Sequence, residues 1–462
     1  MPTRLARALM VLALGAGCAA TPRSSFRHVA DRAARADLEV ERRDPGSMDE
    51  LHPEVAERLG APIDADTAVA IALRQSPALQ SRLARVDVAV AELWAVRPPN
   101  PDVEMEAVLR DGESATLEGS AVMDVADLLR MPLQRRAAAA ELEAAELDAA
   151  AAVLRYAYDT RVAYYRYQAD RALVELYRTA SETFLAAWEA AEDMHDVGNL
   201  RALDVSQQRA AYERSRVDVV QAELRALLSR EELQVRLGLD GAQTWEVVEA
   251  WEPPASLEAD GLERLAVEHN LVLAAQQQTL FAWSRRVGVE RMRGALPEAH
   301  AGIFAEREEG EWSFGPAAGL TLPVFDQNQG GIGRTKARLR IAQQELLQKA
   351  VELRSVARRA RASFLTAAER VRFYDETLLP ARLEVLEQTL LQYNAMNLGV
   401  FQLLQARRAL VDTARERTEA LFDLWEAHAA VELLAAGGDP PAMSAPAMNS
   451  TAGDGGGSDG GH

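Results

Sequence analysis

The same series of sequence patterns occurs twice in this chain. Residues 63–238 contain an apolar-periodic segment, a pair of alternating stretches and a long helix-period segment, and residues 259–436 repeat that series. One offset aligns Gly198 with Met396 and Leu203 with Phe401. A repeat of this kind is a supersecondary unit that cannot cover its own apolar faces. The two copies must therefore pack against each other or against further chains.

The alternating stretches, at 101–122 and 297–322, predict a strand hairpin in each copy. Val103, Met105 and Ala107 alternate with mostly acidic neighbours, which is the period of a strand with one apolar and one polar face. Strands of about nine to eleven residues with this alternation suit an outer-membrane barrel, although a half-buried sheet in a soluble domain has the same pattern. Open sheet edges cannot face lipid, so several chains would have to share one barrel. The carboxylates predicted to face its lumen are Asp102, Glu104, Glu106 and Glu118.

The remainder of each copy predicts long helices. Residues 136–196 contain neither Pro nor Gly, and a helix of that length would extend about 90 Å. Apolar residues from Leu339 to Val371 recur with a period near 3.5, which is typical of a coiled coil. Pro380 predicts a kink or a break in the second arm. The fold class is therefore mostly α with a small β part. The helices form a long coiled-coil barrel, and each chain contributes four strands to a shared β-barrel.

The N-terminus has the features of an export signal. Arg4 and Arg7 precede an apolar run, residues 8–16, that is too short to span a bilayer. The run ends at Cys18, the only cysteine of the chain, in a segment that resembles a bacterial lipobox. We expect lipidation of Cys18, and the alternative is a plain signal peptide with a chance cysteine. Residues 19–62 are predicted to tether the lipid to the helical body.

Composition excludes several classes of function. The net charge of −19 argues against a nucleic-acid partner. The seven histidines have no HxxxH or HExxH spacing, so no metal site and no cofactor are expected. The sequence shows no pairing of a nucleophile with a base that would indicate an enzyme. Residues 239–258 are predicted to link the copies as a belt around the helices, and residues 437–462, rich in Gly, Ser, Asp and Pro, to form a disordered tail.

Two motifs carry a family resemblance that covers most of residues 64–436. The run A-V-A-I-A-L-R-Q-S-P-A-L at 68–79 resembles the opening of each repeat in the TolC family of trimeric outer-membrane efflux channels. The run L-T-L-P-V-F-D-Q-N-Q-G-G-I at 320–332 resembles a segment of its heavy-metal efflux branch. Gly330, Gly331 and Gly333 are not read as a phosphate loop, because the Gly-Lys-Ser/Thr ending is absent. The resemblance implies a homotrimer with a twelve-stranded barrel and a twelve-helix periplasmic tunnel.

The resemblance also implies where partners dock and where the channel closes. Two helical-hairpin tips, near 198 and 397, would dock the periplasmic adaptor, a membrane fusion protein. Their residues are Val197, Gly198, Asn199 and Leu200, and Met396, Asn397 and Leu398. Met396 stands where the family usually has glycine. The gate candidates are Asp204, Gln402 and Gln405, of which only Asp204 is acidic.

The predicted function is a passive duct in the outer membrane of a Gram-negative bacterium, in contact with outer-membrane lipid. It would receive metal cations or small toxic compounds from an inner-membrane pump of the resistance-nodulation-division type. One alternative is the duct of a type I protein secretion system. Another, of a different class, is a periplasmic coiled-coil scaffold lipoprotein that conducts nothing.

Overall fold

A computed structural model describes residues 26–47, 50–108, 116–249, 251–254, 261–308 and 311–441. The predicted signal peptide, the lipidation site Cys18 and residues 442–462 of the predicted tail lie outside these residues. No helix in the described part of the chain has an apolar stretch long enough to cross a membrane.

The first repeat joins short helices to a strand hairpin and then to two long helices. Its elements, with the N-terminal segment, are α1 (Phe26–Ala34), α2 (Pro53–Arg58), α3 (Ala65–Gln75), α4 (Pro77–Leu83), α5 (Arg85–Ala95), β1 (Asp102–Val108), β2 (Thr116–Asp124), α6 (Val125–Asp196) and α7 (Ala202–Leu237). A single 3-10 turn, Pro45–Ser47, lies between α1 and α2.

The second repeat has the same order of elements. They are α8 (Leu262–His269), α9 (Leu271–Ala295), β3 (Ala299–Glu308), β4 (Glu311–Leu320), α10 (Gln329–Phe373), α11 (Leu379–Asn394) and α12 (Val400–Ala435). Both α7 and α12 contain 36 residues. They begin at Ala202 and Val400, which is the offset that aligns Gly198 with Met396, and the predicted repeat is thus present in the structure.

The two long arms differ in their interior. Helix α6 runs for 72 residues, so it extends about 110 Å. It starts at Val125, so it includes Pro132 near its N-terminus in addition to the stretch 136–196 without Pro or Gly. In the second arm, a π-helical segment, Tyr374–Leu378, precedes Pro380. Because proline has no N–H to donate, the helix winds more loosely before it. The break predicted at Pro380 is therefore wrong, because the chain stays helical there and only its winding changes.

The four strands form one antiparallel sheet in the order β1-β2-β3-β4. Residues directly opposite each other share a face, and one row across the sheet joins Glu106, Glu118, Glu306 and Ser313. The neighbouring row joins Met105, Gly119, Ala305 and Phe314, which belong to the opposite face. The predicted alternation of polar and apolar faces is therefore present, and β1 and β4 are open edges.

Each repeat has its own apolar core. Tyr164 of α6 and Leu233 of α7 pack with α3–α5 in the first. Leu353 of α10 and Leu421 of α12 pack with α8 in the second. Phe422, also on α12, joins the first core, so one helix contributes to both.

The segments predicted as a tether and as a belt pack against these cores. Val29 and Ala33 of α1 are fully buried against the first core, so part of the predicted tether 19–62 is a structural element. Trp245 and Val247 of the linker are buried, and Ile63 and Val247 form a parallel β-bridge.

The first residues of the predicted disordered tail, 437–462, pack against the helices. Gly437 has a φ of +89°, and its carbonyl accepts a hydrogen bond of 2.9 Å from the N–H of Leu271. Asn270 donates to the carbonyl of Gly438 at 3.2 Å. Asp439 accepts at its backbone carbonyl from Arg155 and pairs through its carboxylate with Lys349. Residues 437–439 therefore connect α6, α9 and α10.

Replacing Gly238, at the end of α7, by alanine is predicted to destabilise the fold. Its φ is +73°, and a Cβ there would lie 2.7 Å from the carbonyl oxygen of Gln75. Gly261 is a matched control, because its φ is +75° and nothing lies within 4 Å of an added Cβ. We expect Gly261→Ala to lower the free energy of unfolding by about 1 kcal/mol through backbone strain alone. Gly238→Ala should cost roughly 1–3 kcal/mol more through the added clash. Guanidinium unfolding of both variants measures the difference, and equal losses would contradict the clash.

Candidate functional site

The two helical-hairpin tips are the same turn built twice. At the first tip, Gly198 has a φ of +81° and the N–H of Asn199 donates to the carbonyl of Met194 at 2.8 Å. At the second, Met396 has a φ of +60° and the N–H of Asn397 donates to the carbonyl of Gln392 at 2.9 Å. A left-handed residue followed by this hydrogen bond satisfies the last carbonyls of a helix. The two tips are therefore equivalent, although only the first has glycine.

The tips lie at one end of the molecule and pack against each other. Phe184 and Ala211 of the first hairpin form a buried cluster with Val400 and Leu404 of the second. Tyr393 packs on the outside of that cluster. The sequence-predicted docking residues are thus brought together at the same end.

Exposed apolar side chains surround both tips. The exposed fractions are 70% for Val197 and 74% for Met396, and Leu203 and Phe401 are also exposed. Leu398 is partly exposed, whereas Leu200 is half-buried. The remaining predicted tip residues, Gly198, Asn199 and Asn397, are exposed. Among the predicted docking residues, Val197 and Met396 therefore present more apolar surface than Leu200 does.

The predicted gate residues differ in burial. Asp204 is buried and accepts two hydrogen bonds from Arg201, at 2.8 and 3.1 Å. Gln402, which the repeat aligns with Asp204, and Gln405 are exposed on α12. The carboxylate of Asp204 is therefore held within its own chain by a local ion pair, while the two amides are free to meet other groups. Arg201 was missed in the sequence, although its spacing of three residues from Asp204 was a visible signal.

Tyr393 lies near Asp204, and Arg407 lies near Tyr393. Burial raises the pKa of the Tyr393 hydroxyl, and the negative charge of Asp204 raises it further. Burial also lowers the pKa of Arg407, which Tyr393 partly offsets. Arg407 was not recognised in the sequence, because nothing in the local pattern shows that its guanidinium lies in the packed region between the hairpins. The tip thus combines an ion pair with a half-buried arginine and tyrosine.

The polar face of the sheet collects carboxylates from three strands. Glu106 of β1, Glu118 of β2 and Glu306 of β3 occupy one row. Glu104 is on the same face in the next row, opposite Ser120, and Asp102 follows opposite Val122. The sequence prediction missed Glu306, which the alternation of the third strand places on this face. Within the described residues, no three or more of the usual metal-binding side chains are arranged to hold a metal ion.

Aromatic residues mark the apolar face near the end of the sheet that lies farthest from the helices. The rings of Trp312 and Phe314 stack with centroids 6.0 Å apart, and both are exposed. Arg307 departs from the alternation, since it lies on this face with its guanidinium 6.0 Å from the Trp312 ring. Aromatic rings at strand ends are typical of the interfaces of membrane barrels.

Comparisons with known proteins agree with this geometry. No protein-family model matches the chain. It is 30% identical over 182 residues to the toluene efflux pump outer membrane protein TtgC of Pseudomonas putida, over 36% of each chain. It is 25% identical over 231 residues to the probable efflux pump outer membrane protein SepC of the same species, over 48% of this chain and 47% of that one. The chain spans about half the length of the curated relatives it matches.

Solved structures share the fold over most of the chain. The outer-membrane channel OprN superimposes with a TM-score of 0.70 at 18% identity, over 88% of this chain and 96% of OprN. The outer membrane protein VceC of Vibrio cholerae gives 0.69 at 18% identity, over 81% and 96%. CusC gives 0.66 at 16% identity, over 81% and 92%. The resemblance to the TolC family is confirmed, and the chain has the fold of its outer-membrane channels. The expected outer-membrane localisation agrees with these comparisons.

The methionine at the second tip makes a specific prediction about stability. Met396→Gly should raise the free energy of unfolding by roughly 0.5–1 kcal/mol, because glycine accepts a positive φ without the strain that a Cβ causes. Ala395→Gly is the control, since Ala395 has a φ of −79° and gains no such relief. It should be neutral or destabilising. Guanidinium unfolding at fixed protein concentration tests the pair, and a loss of stability in both variants would contradict the strain.

Proposed function

We propose that this protein is the outer-membrane channel of a tripartite efflux system. The observation that carries the proposal is the direct joining of a sheet that has one polar and one apolar face to a rod of helical hairpins. Strand β2 leads into α6 without a linker, since Asp124 ends the strand and caps the helix, accepting from the N–H of Asp127 at 3.0 Å. Such a unit can line a pore through a membrane and continue it below. The protein would conduct passively, without catalysis.

A homotrimer is proposed as the conducting unit. Four strands per chain are too few for a pore, and twelve give a barrel within the range of outer-membrane sizes. The helices also have apolar stripes that nothing in the described chain covers. On α7 the exposed residues Val217, Val220, Leu224 and Leu228 follow helical spacing. Neighbouring copies would cover these stripes and pair the open edges of the sheet.

The proposed location is the outer membrane of a Gram-negative bacterium, with the helical rod in the periplasm. Lipidation at Cys18 would add an anchor beside the barrel. The tips, at the far end of the rod, would contact the periplasmic adaptor and through it an inner-membrane pump. Their exposed Val197 and Met396 supply the apolar surface for that contact.

The cargo is proposed to be small toxic compounds or metal cations. The relatives are named for the efflux of toluene and antibiotics, which supports small toxic compounds. The segment at 320–332 and the carboxylate row support cations. The names of these relatives favour efflux over a type I secretion duct. The sheet, which a coiled-coil scaffold would not need, favours a channel over a scaffold.

A conducting trimer is predicted to prefer cations. Carboxylates from Glu106, Glu118 and Glu306, tripled by the symmetry, would create a negative potential in the pore. Replacing all three by Gln should remove most of the preference, measured as the reversal potential under a salt gradient in planar bilayers. Replacing Asp102 by Asn and Glu104 by Gln in addition should remove still more of the cation preference.

A charge-matched variant separates pore charge from total charge. Glu50, Glu57 and Glu268 are exposed outside the sheet. Their replacement by Gln removes the same charge and should leave the reversal potential unchanged. A protein that inserts but passes no current would overturn the channel proposal, and equal shifts in both triple variants would overturn the face assignment.

The tips are predicted to crosslink to the adaptor. Cysteines introduced at Val197 or Met396 should react with the adaptor encoded beside the channel, because both positions are exposed on the tip turns. Glu223 is exposed in the middle of α7, outside the apolar stripe that neighbouring copies would cover, and serves as the control. Mass spectrometry of the crosslinked products identifies the contacts. Crosslinks at Glu223 without any at the tips would place the adaptor elsewhere.

A further inference from the structure

A cavity of about 730 Å³ opens where the sheet joins the helices, between α5, α6, α9 and α10. Its lining begins within a few residues of the strands, since Asp127 follows β2 closely and Arg293 precedes β3. In the orientation proposed above, this is the periplasmic surface of the membrane. Its volume is within the range of ordinary small-molecule sites.

This cavity has one more arginine than carboxylate, in a chain that is otherwise acidic. Five arginines line it, Arg97, Arg286, Arg293, Arg334 and Arg338. The chain as a whole has 51 basic and 70 acidic residues. Residues 326–344 reverse that balance, because Asp326 is their only acid and Arg334, Lys336, Arg338 and Arg340 are all basic. Positive charge is therefore concentrated at the level where the helices meet the strands.

Three of the four carboxylates of the cavity are already engaged, and the fourth, Glu92, is exposed. Glu141 pairs with Arg286 at 2.7 Å. Glu290 pairs with Arg293 at 3.5 Å and accepts a hydrogen bond of 2.6 Å from the amide of Asn328. Asp127 pairs with Arg130 at 2.7 Å. These contacts neutralise two of the five arginines.

Three arginines remain without an acidic partner. Among the residues that the structure describes, Arg97, Arg334 and Arg338 form no ion pair. Arg97 stacks over Trp94, with 4.7 Å from its guanidinium carbon to the ring centroid. Arg338 lies 5.2 Å from the centroid of Trp283, which also contacts Arg286 at 5.1 Å. Aromatic rings hold these guanidiniums in place without neutralising their charge. A guanidinium held in this way can bind a phosphate through two hydrogen bonds.

Exposed apolar residues lie next to the charged cavity along the chain. Phe325, three residues before Asn328, is 93% exposed, and Val324, Trp94 and Leu129 are also exposed. Arginine beside exposed aromatic and aliphatic side chains suits the boundary between headgroups and acyl chains. A free phosphate would need only the arginines, whereas a phospholipid would use both features.

We propose that this cavity binds the phosphate headgroup of an anionic phospholipid from the periplasmic leaflet. Arg334 and Arg338 hold the phosphate, Arg97 approaches it from the opposite wall, and the acyl chains lie along the apolar residues beside the cavity. The proposal rests on the outer-membrane location proposed above. It adds a lipid contact that fixes the depth of the channel at the point where strands become helices.

Titration of the full-length protein in nonionic detergent with dihexanoylphosphatidylglycerol tests the site. Calorimetry should show saturable binding, and Arg334→Gln with Arg338→Gln should weaken it at least about tenfold. The control is Lys336→Gln with Arg340→Gln, which removes the same charge from the same helix outside the cavity. It should change the affinity less than about twofold. Equal losses in the two double variants would overturn the site in favour of diffuse attraction.

Two further ligands and one further measurement separate the sources of binding. Dihexanoylphosphatidylcholine should bind more weakly than the glycerol lipid, and equal affinity would overturn charge recognition. Inorganic phosphate that binds as tightly as the lipid would overturn the lipid assignment. If a neighbouring copy fills the cavity, the wild-type protein will bind no lipid, and the Arg334/Arg338 double variant will lose trimer stability. The conductance of the same preparation tests the channel proposal separately. A protein that conducts but binds no lipid would overturn the headgroup site and leave the channel proposal intact.

Discussion

The unpaired outer edges of β1 and β4 are the constraint on which the architecture depends. Inside a bilayer no water is present to satisfy backbone N–H and C=O groups, so a sheet must close on itself. Four strands cannot do so in one chain, and the described residues of the two repeats form no further strand of this sheet. The helical part has a similar problem, because the apolar stripe on α7, with Val220 and Leu224, is not covered by the described residues. The proposed trimer would satisfy the sheet edges and cover the apolar stripe.

Duplication gives this protein two equivalent units, and the functional differences lie where the copies have diverged. The tip turns are identical in backbone, yet one has Gly198 and the other Met396 at the left-handed position. Asp204 has an ion pair, while its counterpart Gln402 is neutral and exposed. The first arm is one uninterrupted α-helix, and the second changes its winding before Pro380. A trimer of such chains would have alternating, non-identical elements around its axis.

Much of the fold was predictable because its signals are local. The alternation of polar and apolar residues predicted the strand hairpins and their faces. The spacing of apolar residues predicted the long helices, and one repeat offset predicted both tips. Contacts between distant segments were not predictable in the same way. The burial of Asp204 depends on the packing of α7 against the second hairpin, and the burial of Val29 depends on α6, more than a hundred residues later. The basic cavity was also missed, because its arginines come from several elements that are adjacent only after folding.

The contacts of residues 437–439 have a consequence for the order of folding. These residues join the end of α12 to Arg155 of α6, to Asn270 before α9 and to Lys349 of α10. A chain that crosses a membrane from its N-terminus exposes α6 first and residues 437–439 near the end. The contacts that residues 437–439 make with α6, α9 and α10 therefore form only after those residues have crossed. Before the contacts of residues 437–439 form, the translocating chain is extended and accessible to chaperones. Once they form, the helices are joined in a protomer stiff enough to pack against neighbouring copies.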